Sequence, residues 1–213
     1  MKKQLIGLTV LSSLILGMTA AHAAPPTAEL KVKGKLSVPT CTIISPDSGV
    51  YDLGKISAVN VKSGVTTTAL TPIKKTWTIT CDSDTYLTYK AQDNRSGTES
   101  AVASQNFGLG LVNGTGKIGY YTVVMSNAKI DNVSSNILCI QTDGTSNCTT
   151  TSRLLQGELQ GWSNADKSLK AGKTFSADLE VSAVLAGTTT MNGPITEDTQ
   201  IDGSMTMNFA FGI

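Results

Sequence analysis

Four cysteines, Cys41, Cys81, Cys139 and Cys148, are the side chains of this sequence best suited to covalent chemistry. Thiols can hold a metal or pair as disulfides. A structural zinc site favours closely spaced Cys-x-x-Cys pairs, and this chain has none. In an exported chain an even cysteine count reads as two disulfides, with three connectivities open to four cysteines. Cys139 and Cys148 are near neighbours and most simply close a hairpin or loop, which leaves Cys41 with Cys81. In the chain-entropy model the long loop contributes about 4 kcal/mol and the short one about 2.5 kcal/mol.

Other catalytic groups are scarce. The single histidine, His22, lies in the N-terminal leader. With the leader removed, a Ser-His-Asp or Cys-His nucleophile has no base, and histidine metal sites are excluded. There is no GxSxG, no glycine-rich phosphate loop and no EF-hand pattern. Carboxylate pairs such as Asp82/Asp84 or Glu197/Asp198 could serve glycoside hydrolysis, but both fall where turns are expected, where solvated loop charges are the plainer account. Trp77, Trp162, Tyr120 and Tyr121 could stack on a sugar. Trp77 alternates with core positions, so Trp162, set among polar residues, is the better ligand candidate; a satellite core position is its plainer role. No catalytic residue, metal or cofactor is expected, and the chain does not read as an enzyme.

The address comes from the first residues. Lys2 and Lys3 form a basic start, residues 5–18 are mostly apolar, and Ala21-His22-Ala23 offers small residues to a signal peptidase. This is a secretory signal peptide over residues 1–23, with cleavage between Ala23 and Ala24. The apolar run is short for a membrane anchor. Cleavage removes two of the 17 basic residues and leaves a net charge of about −1 against 16 acidic ones. Such a near-neutral chain has no electrostatic footprint for nucleic acid.

The elements that must position these residues are strands. About 190 residues remain after cleavage, enough for one packed domain. They are rich in Thr, Ser, Gly and Val and lack long apolar helical patterns, which favours an all-β fold. Ala28, Leu30 and Val32 alternate with Glu29, Lys31 and Lys33, and Leu36 and Val38 keep that parity. Short strands are expected over residues 50–54 and near 65–70. Ile73, Lys75, Trp77, Ile79 and Cys81 share one face, and residues 82–84 are expected to turn. Residues 86–91 form another strand. Residues 107–125, turning at Asn113-Gly114, read as a hairpin. Residues 127–173 are the least legible. Phe175, Ala177, Leu179, Val181, Ala183 and Leu185 then alternate strictly. Met205, Met207, Phe209, Phe211 and Ile213 do the same in the last strand, whose outer edge is expected to be free and to invite pairing by another chain. Strands of these lengths with a long-range disulfide indicate a β-sandwich of immunoglobulin-like architecture.

Several stretches together resemble a known family. They are Lys33-Gly34-Lys35-Leu36-Ser37-Val38-Pro39-Thr40-Cys41-Thr42-Ile43, Tyr51-Asp52-Leu53-Gly54-Lys55-Ile56, Thr76-Trp77-Thr78-Ile79-Thr80-Cys81 and the closing apolar strand. The chain resembles the subunits of chaperone–usher pili, the fimbrial proteins of Gram-negative bacteria, and is closest to a little-studied fimbrial-like branch with a longer middle section. The resemblance implies a pilin-type sandwich lacking one strand, completed by donor-strand exchange. It implies that Met205, Met207, Phe209, Phe211 and Ile213 line a groove filled first by a periplasmic chaperone and then by the extension of another subunit, with delivery through an outer-membrane usher. Ala28, Leu30 and Val32 would be the donated side chains.

The expected organisation is a signal peptide over 1–23, a candidate donor extension over 24–34, and a pilin-like domain over 35–213 with an irregular excursion at about 127–173. The expected function is structural and adhesive, first in the periplasm and then in a fimbrium at the cell surface. Two features depart from ordinary pilins: Gly212 stands where a tyrosine is usual, and the extension before Cys41 is short and opens on Pro25-Pro26. The alternatives are a tip adhesin binding a host or surface glycan through residues 127–173, and a self-contained periplasmic β-sandwich whose own N-terminal strand fills the groove.

Overall fold

The computed structural model describes residues 26–140, 152–165 and 168–211. The expected signal peptide and its expected Ala23–Ala24 cleavage point, Cys148 and Ile213 lie outside the described residues. The chain divides into two compact units, Met1–Ser37 and Val38–Ile213. In the first unit, residues 26–37 form neither ladder nor helix and are exposed. Leu30 and Val32 are 86% and 89% accessible. The alternation of residues 28–38 predicts a strand, but none forms there, and the first strand is Cys41–Ile44. Alternation sets which way side chains point; it does not supply the partner that backbone N–H and C=O groups require.

The second unit holds thirteen strands among its described residues: β1 (Cys41–Ile44), β2 (Thr68–Ala69), β3 (Ile73–Thr85), β4 (Leu87–Asp93), β5 (Phe107–Gly108), β6 (Leu111–Val112), β7 (Gly116–Lys117), β8 (Gly119–Ile130), β9 (Val133–Ser134), β10 (Asn136–Ile140), β11 (Leu159–Ser163), β12 (Gly172–Leu185) and β13 (Met205–Phe211). One sheet runs β1-β3-β12-β8-β5, with β2 on β12 and β9 on β8; a second runs β10-β11-β4-β13; β6 and β7 form a small ribbon. Every ladder between strands is antiparallel. The all-β sandwich expected from the sequence is the observed fold.

Its core is built by period-two faces meeting across the two sheets. Ile79 and Cys81 of β3, Phe175, Ala177 and Leu179 of β12, and Val123 and Met125 of β8 are buried on the inner face of the first sheet. Leu87, Tyr89 and Ala91 of β4 and Trp162 of β11 are buried opposite them. An aromatic chain crosses the sandwich: Phe209 lies 5.9 Å from Tyr89, Tyr89 lies 6.0 Å from Trp162, and Trp162 lies 5.4 Å from Phe175, between ring centroids. The Tyr89 hydroxyl donates to the Met125 sulfur at 3.0 Å. That gives a buried phenol the partner it requires.

Several local expectations change. Residues 82–84 do not turn; β3 continues through them, and Tyr86 alone separates it from β4, so the chain passes there from the first sheet to the second. The stretch 127–173, hard to read as sequence, carries the end of β8 and all of β9, β10 and β11. The cause lies at Asn127, which has a positive φ of 51°. There β12 shifts register against β8, from Ser176↔Lys129 to Asp178↔Ser126. Two residues of β8 thus oppose one of β12, a β-bulge, and the inward parity switches from Tyr121, Val123 and Met125 to Ala128 and Ile130. The Asn127 amide donates to Asp178 Oδ2 at 2.6 Å and ties the bulge to β12.

Candidate functional site

The site is a groove of about 1410 Å³ within the second unit, opening between the two sheets beside β13. That volume exceeds the roughly 300–1,000 Å³ usual for small-molecule pockets. Its floor is apolar and comes largely from the first sheet: Tyr121 and Val123 of β8, and Leu179, Val181, Ala183 and Leu185 of β12.

One wall is β13. Met205, Met207 and Phe209 line the groove, half-buried against the core. The ladder with β4 fixes what else this strand offers. Asn94 N–H donates to the Ser204 carbonyl at 3.0 Å, and the same register pairs Met205 with Asp93 and Phe211 with Leu87. In an antiparallel ladder hydrogen-bonded and non-hydrogen-bonded pairs alternate. Met205, Met207, Phe209 and Phe211 therefore occupy the non-hydrogen-bonded pairs, and their N–H and C=O groups point away from β4. Among the described residues β13 pairs with β4 alone. Met205, Met207 and Phe209 thus present apolar side chains to the groove and unpaired backbone groups along its edge.

A second wall is residues 51–56. A strand is expected over residues 50–54, but among the described residues the backbone here has no ladder partner. Side-chain contacts hold it instead. Tyr51 Oη donates to the Leu179 carbonyl at 3.2 Å and accepts from Trp77 Nε1 at 3.0 Å. Lys75 Nζ sits 5.3 Å from the Tyr51 ring centroid, donates to the Val50 carbonyl and pairs with Asp47. A lysine on an otherwise apolar face of β3 is explained by this clamp. Burial raises the Tyr51 hydroxyl pKa, and the charge of Asp178 adds to that, while the Trp77 hydrogen bond opposes it. Gly54, at φ 65°, accepts a left-handed turn closed by its N–H to Asp52 Oδ1 at 2.8 Å. The turn changes the inward spacing, so Tyr51, Leu53 and Ile56 all pack against the core.

The third wall is the strap of residues 195–201 leading into β13. Ile195 and Ile201 pack against the core. Asn113 Nδ2 donates to the Met191 and Pro194 carbonyls at 2.9 and 3.3 Å before the strap. After it, Arg95 pairs with Asp202 and donates through Nε to the Asp202 carbonyl at 3.2 Å.

The remaining candidate residues fall as follows. Phe211 is 40% accessible and does not line the groove. Ala28, with Leu30 and Val32, is exposed in the first unit. Cys41 and Cys81 are bonded across β1 and β3, as the loop argument expects, at a Cα separation of 4.0 Å. Cys139 is buried and disulfide-bonded, and its expected partner, Cys148, lies outside the described residues. Trp162 is not a surface platform. It is 2% accessible, and its Nε1 donates to the Ser176 carbonyl at 3.0 Å. Its polar neighbours in sequence lie on a strand between β10 and β4, so tertiary pairing rather than local composition decides its burial. Trp77 is half-buried and its ring reaches the groove. Asp82 and Asp84 are exposed on β3, and Glu197 and Asp198 are exposed on the strap. Sequence reasoning found β13 but missed the other two walls. The Tyr-Asp-Leu-Gly-Lys-Ile run was legible only as a short strand, and the strap only as a connection.

Among the described residues no group of three His, Cys, Asp or Glu could hold a metal ion, and no helix is long and apolar enough to cross a membrane. In comparison with known proteins, residues 30–108 match a family described as a protein of unknown function (DUF1120). The match contains both cysteines of the Cys41–Cys81 bond and the wall at residues 51–56, and ends in β5, ahead of β12 and β13. No curated protein matches the chain.

Proposed function

We propose that this protein is a fimbrial-type structural and adhesion subunit that works by taking an extended strand from another chain into its groove. The observation that carries this reading is the edge of β13, free among the described residues, where apolar side chains and unpaired backbone groups of Met205, Met207 and Phe209 border the apolar floor of the groove. A free edge of this kind is a template for strand addition. An inserted strand would bury its alternate side chains on the sandwich floor and satisfy the β13 edge. The occupants in this reading are a periplasmic chaperone first and a neighbouring subunit second, with an outer-membrane usher between the two stages. The donor is the exposed alternating segment carrying Ala28, Leu30 and Val32, within an immunoglobulin-like scaffold exported by the leader. The role is binding and assembly, without catalysis. No observation favours a glycan site built on Trp162, whose ring is enclosed.

Deletion of residues 24–33 tests the reading. Assembly at the cell surface should be lost while the complex with the periplasmic chaperone survives. Assembly that proceeds without these residues refutes it.

A further inference from the structure

The rim of the groove indicates which strands it accepts. Its charged lining residues are Asp52, Lys55, Glu197 and Asp198, three acids against one lysine. Among the described residues, none of these three carboxylates forms an ion pair with a side chain of its own chain. A strand lying in the groove turns alternate side chains to the floor and the others outward to this rim. The exposed segment of residues 26–37 has that division. Ala28, Leu30 and Val32 fall on one parity, and Glu29, Lys31, Lys33 and Lys35 on the other, three lysines against one glutamate. Glu29 and Lys31 are joined by an ion pair of 3.2 Å, in keeping with side chains two apart on the same side of an extended chain.

We propose that the acidic rim selects a lysine-faced strand, and that the groove's occupant is the 26–37 segment of a second copy of this chain. The proposal rests on the strand-accepting reading above and adds a partner and a selection rule to it. The rim charges of one copy then complement the outward lysines of the next. Exposed pairs of this kind act on the rate of encounter more than on final affinity. They weaken with salt, because the screening length falls to about 8 Å at physiological ionic strength.

The test uses the purified full-length chain, with association followed by light scattering from about 20 to about 500 mM salt. A Glu197→Gln/Asp198→Asn variant should associate about five- to tenfold more slowly at low salt and match the wild type at high salt. Both side chains are exposed, so the sandwich itself is untouched. Lys31→Glu/Lys33→Glu should show the same loss. Combining it with Glu197→Lys/Asp198→Lys should restore the rate, which a merely structural effect would not do. A neutralised rim that associates at the wild-type rate with the same salt slope overturns the charge selection. In that outcome loss of association on Phe209→Asp leaves the strand-accepting groove standing. Association that survives Phe209→Asp as well overturns both. A wild-type chain that remains monomeric across the salt range overturns self-recognition, and assembly with other subunits in cells would then still support the groove.

Discussion

Replacing Cys41 and Cys81 together with alanine should lower the folding free energy by about 4 kcal/mol, the chain-entropy value for a loop of this size. The two residues are 40 apart in sequence. The bond does more than close a loop, because β1 is four residues long and, among the described residues, its one ladder partner is β3. The closed loop also contains the groove wall at residues 51–56. Reduction by thiol would open the Cys139 bond too, so substitution is the cleaner perturbation. Urea unfolding followed by tryptophan fluorescence reads the loss, since Trp77 lies inside the loop and Trp162 outside it. With a slope of about 2 kcal/mol per molar urea, the midpoint should fall by about 2 M. A loss below about 1 kcal/mol refutes the reasoning, because it would mean that the denatured chain gains little freedom when the bond is gone. Separate transitions for the two tryptophans would show that the loop unfolds apart from the rest of the sandwich.

Three further outcomes follow from the same geometry. Tyr51→Phe removes the acceptor of Trp77 Nε1 and the donor to the Leu179 carbonyl, and should cost about 1–2 kcal/mol in urea unfolding; an unchanged midpoint would show that residues 51–56 are not held by this clamp. Trp162→Ala should cost about 3–5 kcal/mol, as for a core aromatic, whereas a loss within about 0.5 kcal/mol, typical of surface positions, would contradict its burial. The Asp178 carboxyl is held below the usual aspartate pKa by its hydrogen bond to the Thr76 hydroxyl and then by that to the Asn127 amide. A lowered folded pKa contributes stability above the unfolded value of about 3.9, lost as pH falls through the folded value. Unfolding midpoints should therefore show the wild type's advantage over Asp178→Asn shrinking on acidification below about pH 4; an advantage that grows there would refute the assignment.

The parts of this protein legible in its sequence are those set by local periodicity. The alternation in residues 175–185 and 205–211 determines which side chains of β12 and β13 face inward, whatever lies beside them. The single histidine and the all-β composition are likewise read residue by residue. Periodicity was lost at Asn127, where a single extra residue in β8 reverses the parity, and three strands beyond it went unread.

Tertiary structure alone decided which strands lie side by side, because pairing joins residues far apart in sequence through backbone groups that all residues share. It placed β13 at a sheet edge, with its Met205, Met207 and Phe209 backbone groups turned away from β4. It enclosed Trp162 between sheets, and it brought residues 51–56 and 195–201 to the two other sides of one groove. The apolar stripe of the last strand was written in the sequence, and the space beside it exists only where three distant segments meet.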